Sequence, residues 1–317
     1  MAKTISIITP CFNEEDGIRE CWEAIRNLFD EHLPDYEREH IFCDNCSTDR
    51  TVEILKEIAA EDPGTKIIVN SRNFGILRNT FNGVTSAGGD ATVLFMPADL
   101  QDPPEVIPEM VALWENGYEI VYGIRAERHE SLPLRSMRKA YYRVLSAISD
   151  IEYPPDVGDF QLVDKVVLNE IKASNTVQPF LRMMTFEAGF KAVGIPYTWK
   201  ARKYGLSRNR VWQLIDQAFT GLISHSNAPL RLATLLGTGI AALSFVYACI
   251  VVLLWLFYDS DAPSGTFTTI TAIFFFGGVQ LAFTGVLGEY VGAIFNQVRG
   301  RRIVVERERV NFDRDPD

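Results

Sequence analysis

Two uncharged apolar stretches, Leu232 to Tyr258 and Ala262 to Gly288, follow roughly two hundred residues of mixed polarity. Each is longer than the ~20 residues that carry a helix across a bilayer, and a helix in a soluble core seldom runs that far without a charge. The sequence therefore predicts two transmembrane helices, about 232–258 and 266–292. The linker Asp259-Ser260-Asp261 carries no Lys or Arg, whereas Arg231 precedes the first stretch and Arg299, Arg301 and Arg302 follow the second. Basic residues favour the cytoplasmic side, so both termini are expected there, in an integral, multi-pass membrane protein. The expected domains are a cytoplasmic α/β domain over 1–210, an interfacial amphipathic helix over 211–228, the two spans within 229–296, and a cytoplasmic tail over 297–317. At the N-terminus, Lys3 is followed only by the short run Ile5 to Ile8, too brief for a signal peptide and better read as a strand.

A net charge of -10 over 317 residues argues against nucleic acid as a partner. The segments beside the apolar stretches are nevertheless basic, as attraction to anionic headgroups requires. Of the five cysteines, Cys43 and Cys46 form a C-x-x-C with no second ligand pair, which reads as ordinary reduced thiols rather than a zinc site.

From Thr4 to Tyr122, short apolar runs alternate with helical patterns. The runs Ile5 to Thr9, Ile41 to Cys43, Lys66 to Asn70, Ala91 to Met96 and Glu119 to Tyr122 read as strands. Glu14 to Phe29, Arg50 to Ala60 and Pro104 to Asn116 read as helices. The alternation predicts a mostly parallel, doubly wound, Rossmann-like sheet. Ligands of such sheets bind beyond the carboxyl ends of the strands. The polar residues there are Asn13 and Glu14, then Asp44, then Arg72 and Asn73, then Asp99. Asp49 is expected to cap a helix. Asp99 lies in Met96-Pro97-Ala98-Asp99-Leu100-Gln101-Asp102-Pro103-Pro104, where oxygen ligands cluster ahead of a proline-initiated helix. Mg2+ or Mn2+ needs such oxygens and usually shares them with substrate phosphates.

These residues carry a resemblance. Pro10-Cys11-Phe12-Asn13-Glu14, Asp44-Asn45-Cys46-Ser47-Thr48-Asp49, Arg72-Asn73-Phe74-Gly75, Ala98-Asp99-Leu100-Gln101-Asp102-Pro103-Pro104 and Gly158-Asp159-Phe160-Gln161-Leu162, in that order and with the terminal hairpin, resemble family 2 (GT-A fold) glycosyltransferases of the dolichyl-phosphate mannose synthase and bactoprenol glucosyltransferase type. The resemblance implies transfer of a sugar from a nucleotide sugar to a polyprenyl phosphate. Two departures stand out. Asp44-Asn45-Cys46-Ser47 replaces the common Asp-Asp-Gly-Ser, and Pro97-Ala98-Asp99 replaces Asp-Ala-Asp, which removes one carboxylate from the metal motif.

The resemblance implies a nucleotide-sugar site of Pro10, Asn13, Glu14, Asp44, Arg72, Asn73, Gly75, Ala98 and Asp99, with a metal held by Asp99 and Gln101. A cation there would stabilise charge on the departing nucleotide. A phosphate acceptor is already anionic and needs cationic positioning more than a base. Arg125, Arg128, Arg138, Lys139, Arg202 and Lys203 supply cations, with Ser207 beside them. By resemblance Arg125 and Arg138 match the acceptor-phosphate arginines, Asp44 contacts the base or ribose, and Asp159 lies near the acceptor. The expected catalytic residues are Asp99, Asp159 and Arg125.

Leu134 to Ile148 and Val211 to Ile223 have apolar residues at helical spacing beside basic ones, and read as amphipathic helices, the second at the membrane interface. Gly288 and Gly292 have the small-x-x-x-small spacing of close helix packing, to be filled by the hairpin partner or by another subunit. A homo-oligomer is expected, a tetramer being one arrangement. The tail Arg302 to Glu306 reads as a strand pairing with a neighbour or with its own domain.

The function expected from these readings is an inverting transfer of a hexose, glucose from UDP-glucose, onto a polyprenyl phosphate at the cytoplasmic face. GDP-mannose or another donor would use nearly the same motifs. A processive polysaccharide synthase would carry Q-x-x-R-W and more spans, and neither is present. A non-catalytic membrane-anchored nucleotide-sugar sensor or scaffold is the alternative from another class.

Overall fold

The computed structural model describes residues 2–127, 154, 157–174, 176–177, 179–200, 228–257, 265–300 and 302–312. In chain order the elements are β1 (Lys3–Cys11), α1 (Ile18–His32), β2 (Tyr36–Asp44), α2 (Thr51–Glu61), β3 (Thr65–Asn70), α3 (Ile76–Ser86) and β4 (Ala91–Val93). A short 3-10 turn (Pro104–Val106) leads into α4 (Ile107–Glu115), followed by β5 (Ile120–Glu127), β6 (Val157–Asp164), α5 (Lys165–Ala173), α6 (Leu181–Glu187) and β7 (Ala192–Thr198). Two long helices, α7 (Ala228–Phe257) and α8 (Thr266–Val298), and a last strand β8 (Glu306–Val310) complete the described chain. These fall into two compact units, one holding the sheet, its helices and the residues after Gly300, the other holding α7 and α8.

The eight strands form one mixed sheet in the order β7-β5-β6-β4-β1-β2-β3-β8. β1, β2, β3 and β4 run parallel to one another, and β5 runs parallel to β7, while β6 and β8 join antiparallel. β1 is buried without a break from Ile5 to Cys11 because helices cover both faces, which is why Ile5, Ile7 and Ile8 serve both sides of the strand. On one face α1 seats Ile25, Leu28 and Phe29 beside Met110, Val111 and Trp114 of α4. The spacing of Ile18, Cys21, Trp22, Ile25, Leu28 and Phe29 is one helical stripe. α3 approaches the sheet so closely that a Cβ on Gly83 would lie 2.3 Å from Cys43 Sγ and 2.7 Å from Ile8 Cγ2.

The end of the sheet remote from the strand carboxyl ends is fastened by Asp62, between α2 and β3. Its Oδ2 accepts from Arg38 Nη2 (2.6 Å), Thr65 Oγ1 (2.6 Å) and Trp22 Nε1 (2.9 Å). One carboxylate thus ties α1, β2 and the start of β3.

Three expectations change. β4 is Ala91–Val93 and stops short of Met96, although Leu94 N–H still reaches Gln161 O of β6 and Met96 N–H still reaches Ile8 O of β1 before Pro97. The tail strand begins at Glu306, beyond the predicted Arg302 to Glu306, and pairs antiparallel with β3 of its own domain. Glu306–Val310 is thus the edge strand of the sheet. Lys56 Nζ meets Glu308 at 2.7 Å, Asn82 Nδ2 donates to Glu306 at 2.7 Å, and Asn311 Nδ2 donates to Ala59 O and Thr65 O. Third, α3 was not among the helices the sequence patterns indicated.

Within the second unit, Phe275–Val298 of α8 is long and apolar enough to cross a membrane, with a mean hydropathy of 1.3. α7 and α8 border an open groove of about 310 Å³ lined by Gly237, Ile240, Phe276, Val279, Gln280 and Phe283 among others. Among the described residues, a Cβ on Gly288 or Gly292 would meet nothing within 4 Å. The amphipathic segments 134–148 and 211–223 lie outside the described residues.

Candidate active site

β1 and β2 end in register, Cys11 beside Asp44, so the loops after them leave the sheet together. Asn13 sits in the left-handed region at φ 57°, a conformation that asparagine tolerates. From there its N–H donates to Ser47 Oγ (2.9 Å) and its Oδ1 accepts from Thr48 N–H (2.8 Å). The N–H of Glu14 donates to Thr51 Oγ1 (2.9 Å). Asp49 Oδ1 accepts from Thr51 N–H at the start of α2, although the capping position itself is held by Arg50 rather than Asp49. Asp44 is fully buried, and its Oδ2 accepts from Ser47 N–H at 3.0 Å. Burial pushes its carboxyl above the ordinary value, and the Ser47 hydrogen bonds offset only part of that.

Asn45, where the family commonly has a second aspartate, joins the third loop to these two. Its Nδ2 donates to Asn73 Oδ1 (3.0 Å), and its Oδ1 accepts from Phe74 N–H (2.9 Å). Asn70 Nδ2 donates to Asn79 Oδ1, and Asn79 Nδ2 to Cys43 O (2.7 Å), which seats the first turn of α3 on the end of β2. An amide both donates and accepts, which a carboxylate at position 45 could not do. Arg72 lies over the Phe74 ring, 4.0 Å from its centroid. Gly75, at φ 87°, turns the chain into α3.

Pro97 opens a turn closed by Leu100 N–H to Pro97 O, and Leu100 takes φ 52°. The turn presents Asp99, whose Oδ1 accepts from Gln101 N–H at 3.2 Å. Gln101 O accepts from Lys200 N–H (2.9 Å), and Lys200 Nζ pairs with Glu105 (2.9 Å), so the chain after β7 is latched to this loop. Among the described residues no three His, Cys, Asp or Glu side chains converge as a metal cage. One carboxylate and one amide oxygen fit a hard divalent ion that draws its other ligands from water and a diphosphate.

On the other flank Asp102 is 1% exposed and pairs with Arg125 Nη2 at 3.2 Å. Tyr197 OH donates to Asp102 Oδ1 (2.5 Å) and accepts from Arg125 Nε (3.1 Å). Burial pushes the Asp102 carboxyl up, against the pull of Arg125 and Tyr197, and pushes the Tyr197 phenol up as well. Asp159 on β6 takes a two-pronged contact from Arg182 on α6, Nε to Oδ1 at 3.0 Å and Nη2 to Oδ2 at 2.5 Å. Burial would raise the Asp159 carboxyl, but the charge and hydrogen bonds of Arg182 outweigh it and hold it below the usual range. Gln161, wholly buried, donates to Gly158 O and Arg182 O and accepts from Thr185 Oγ1, fixing α6 against β6.

Pro10, Asn13, Glu14, Asp44, Arg72, Asn73, Gly75, Ala98 and Asp99 thus all lie along the carboxyl ends of β1 to β4, and Gln101, Arg125 and Asp159 lie beyond them toward β6 and β5. Arg128, Arg138, Lys139, Arg202, Lys203 and Ser207 lie outside the described residues. The sequence reading assigned no role to Asp102, Tyr197 or Arg182. Asp102 stood inside a quoted motif, but the other two lie in segments without one. Cys43 is buried and Cys46 half-buried, and the described cysteines are free thiols.

Residues 6–171 match the description Glycosyl transferase family 2, more than half of the chain. The chain is a family 2 glycosyltransferase. Residues 228–294 of this glycosyltransferase match the GtrB C-terminal hairpin, a segment that holds α7 and most of α8. It is 36% identical over 301 residues to the uncharacterized glycosyltransferase YkcC of Bacillus subtilis, covering 95% of this chain and 92% of that one. It is 33% identical over 302 residues to the SfII prophage-derived bactoprenol glucosyl transferase of Shigella flexneri, covering 94% and 95%. The prophage bactoprenol glucosyl transferase homolog of Escherichia coli is 32% identical over 309 residues, covering 96% and 98%. Among solved structures, the mannosyltransferase PcManGT of Pyrobaculum calidifontis covers 95% of this chain and 89% of its own at 15% identity and a TM-score of 0.48, too distant to inform the ligands of this site.

Proposed function

We propose that this glycosyltransferase moves glucose from UDP-glucose to the phosphate of a polyprenyl phosphate, with inversion, at the cytoplasmic face of a membrane spanned by α7 and α8. The observation that carries the reading is the division of the site. Acidic and amide groups (Asp44, Asn45, Asn73, Asp99, Gln101) line the strand ends from β1 to β4, and an arginine-centred cluster (Arg125 with Asp102 and Tyr197, Arg182 with Asp159) lies on the β5–β6 flank. The first half suits a nucleotide sugar, and the second an anionic acceptor. Relatives named bactoprenol glucosyl transferase, matched over nearly their whole length, support the lipid phosphate and the glucose.

Mg2+ or Mn2+ at Asp99 and Gln101 would supply neutralisation of charge on the leaving diphosphate. In the proposed step an oxygen of the acceptor phosphate attacks C1 of the sugar, and the bond from C1 to the diphosphate oxygen breaks with its electron pair on the nucleotide. The acceptor carries no proton that must leave at neutral pH, so the chain's task is to orient it. Asp102 and Asp159 are each engaged by an arginine, which suits positioning better than a covalent intermediate on either carboxylate. Arg128, Arg138, Lys139, Arg202 and Ser207 belong to the proposed acceptor site, and a homo-oligomer to the proposed assembly.

The test is incubation of the detergent-solubilised protein with labelled UDP- and GDP-sugars, polyprenyl phosphate and Mg2+ or Mn2+, counting label in the organic phase. Label from UDP-glucose that EDTA and Asp99→Ala both abolish is the expected result. Label from another donor replaces the sugar, and label that survives Asp99→Ala sinks the metal assignment.

A further inference from the structure

Arg125 is held with more care than a surface cation needs. Its Nε donates to Tyr197 OH (3.1 Å) and its Nη2 lies 3.2 and 3.3 Å from the two oxygens of Asp102. The Trp199 ring covers its face at 5.2 Å. Nη1 makes no hydrogen bond among the described residues. The phenol of Tyr197 closes the ring of contacts by donating to Asp102 Oδ1. All three side chains are partly or wholly withdrawn from water, with 20% of Arg125 and 1% of Asp102 exposed.

The backbone is shaped for this arrangement. A Cβ on Gly123 would lie 2.5 Å from Tyr197 Cε1 and 3.0 Å from its Cδ1, so a glycine on β5 is what admits the ring two residues before Arg125. Phe160 of β6 meets the same ring edge-on, its centroid 5.8 Å away. The main chain also fixes the neighbours, through Lys200 N–H on Gln101 O.

From this geometry we infer that Tyr197 and Asp102 are positioning residues that hold the Arg125 guanidinium by one edge, so that its Nη1 edge meets an oxyanion of the acceptor phosphate. The inference rests on the reading of Arg125 as an acceptor ligand proposed above, and adds what sets its direction. A guanidinium recognises an oxyanion by a planar fork, so its orientation matters as much as its charge. An exposed arginine spreads over many rotamers, and fixing one before the lipid arrives removes an ordering cost from binding. Asp102 also compensates the Arg125 charge while the acceptor is absent, which a half-buried cation requires. The sequence shows the outcome without the cause, since Asp102, Arg125 and Tyr197 are spread over nearly a hundred residues.

Tyr197→Phe keeps the ring against Gly123 and Phe160 and removes only the oxygen. In steady-state kinetics of the full-length protein in detergent, with polyprenyl phosphate and labelled nucleotide sugar, this variant is expected to raise the acceptor KM about tenfold, the worth of a hydrogen bond to a charged group. The donor KM and kcat are expected to stay within about twofold of wild type. Arg125→Lys, which keeps the charge and loses the fork, should raise the acceptor KM at least as much. Adding Tyr197→Phe to Arg125→Lys should then change the acceptor KM little further, because both substitutions remove one coupled contact. A Tyr197→Phe protein with unchanged acceptor KM overturns the inference, as does an equal rise in donor and acceptor KM or full additivity of the two substitutions. Should Tyr197→Phe not fold, Asp102→Asn, nearly isosteric, is held to the same criteria. Arg125→Ala separates the two levels. An unchanged acceptor KM in that variant removes Arg125 from the acceptor site altogether, whereas a raised one beside a normal Tyr197→Phe leaves the reading and discards the positioning.

Discussion

Replacing Asp62 by asparagine is expected to destabilise the sheet domain while leaving turnover untouched. Burial alone would raise the Asp62 carboxyl, but hydrogen bonds from Arg38, Thr65 and Trp22 outweigh it and bring it down to about 2 from an ordinary 3.8. Each tenfold in proton affinity is worth about 1.4 kcal/mol, so the ionised group contributes about 2 kcal/mol at neutral pH. At 17% exposure of the side chain, solvent screening removes little of this. The substitution also leaves Arg38, 11% exposed, against an amide, and its Nη1 is already buried without a partner. Removing one member of a buried pair costs about 3–5 kcal/mol, so the expected loss lies between about 2 and 5 kcal/mol. The sign follows from a folded value below the unfolded one. The contribution is complete above about pH 5, falls to about half by pH 3, and is gone below pH 2. Urea unfolding of the detergent-solubilised protein, followed by tryptophan fluorescence at pH 7 and pH 3, measures both, since Trp22 Nε1 donates to this carboxylate. Equal stability of the two proteins at pH 7, or a gap that does not narrow by pH 3, would refute the reasoning. A fall in kcat under folding conditions would show that this end of the sheet communicates with the site.

Three further outcomes are expected. Gly83→Ala drives a methyl into Cys43 Sγ and Ile8, and overpacking of this kind costs about 1–3 kcal/mol; thermal unfolding should show it, with partial rescue by Cys43→Ala. A chain ended after Arg302 lacks β8 and exposes the hydrogen-bonding edge of β3 at Ile67 to Asn70, so it should aggregate in detergent where the full chain does not, as light scattering would record. Arg182→Gln releases the Asp159 carboxyl toward its ordinary value. The acid limb of kcat/KM should nevertheless stay near the second ionisation of a phosphate monoester, about 6, and a limb that moves with Arg182 would mark Asp159 as the titrating group.

The proposed donor half of the site was legible because parallel strands announce themselves as apolar runs and polar residues follow directly at their ends. Asn13, Asp44 and Asp99 each stand within a few residues of a strand end. Of the proposed acceptor half, the described residues named from the sequence are Arg125 and Asp159, which lie on strands. Arg182 sits on a seven-residue helix and meets Asp159 by a tertiary contact that no local spacing encodes. α3 escaped notice because its start has no capping side chain, and Gly83 with the β-branched Thr80, Val84 and Thr85 weakens its helical pattern. β8 was misplaced because the apolar Ile303 to Val305 looks more strand-like than Glu306-Arg307-Glu308-Arg309, whose alternating charges pair with α2 and α3 or face water at an edge.

β8 also sets the order in which the molecule can be made. The strand that finishes the sheet is translated after both helices of the hairpin, so a ribosome releases β1 to β7 well before their last neighbour exists. Until then β3 is the border of an unfinished sheet, and the hairpin is made with that border bare. The sheet is complete only after the hairpin has been translated, since a chain stalled before Glu306 lacks its last strand. A water-soluble form of the catalytic domain follows the same logic. It would need residues 302–312 grafted back onto the chain by a linker in place of the hairpin, rather than a simple cut ahead of α7.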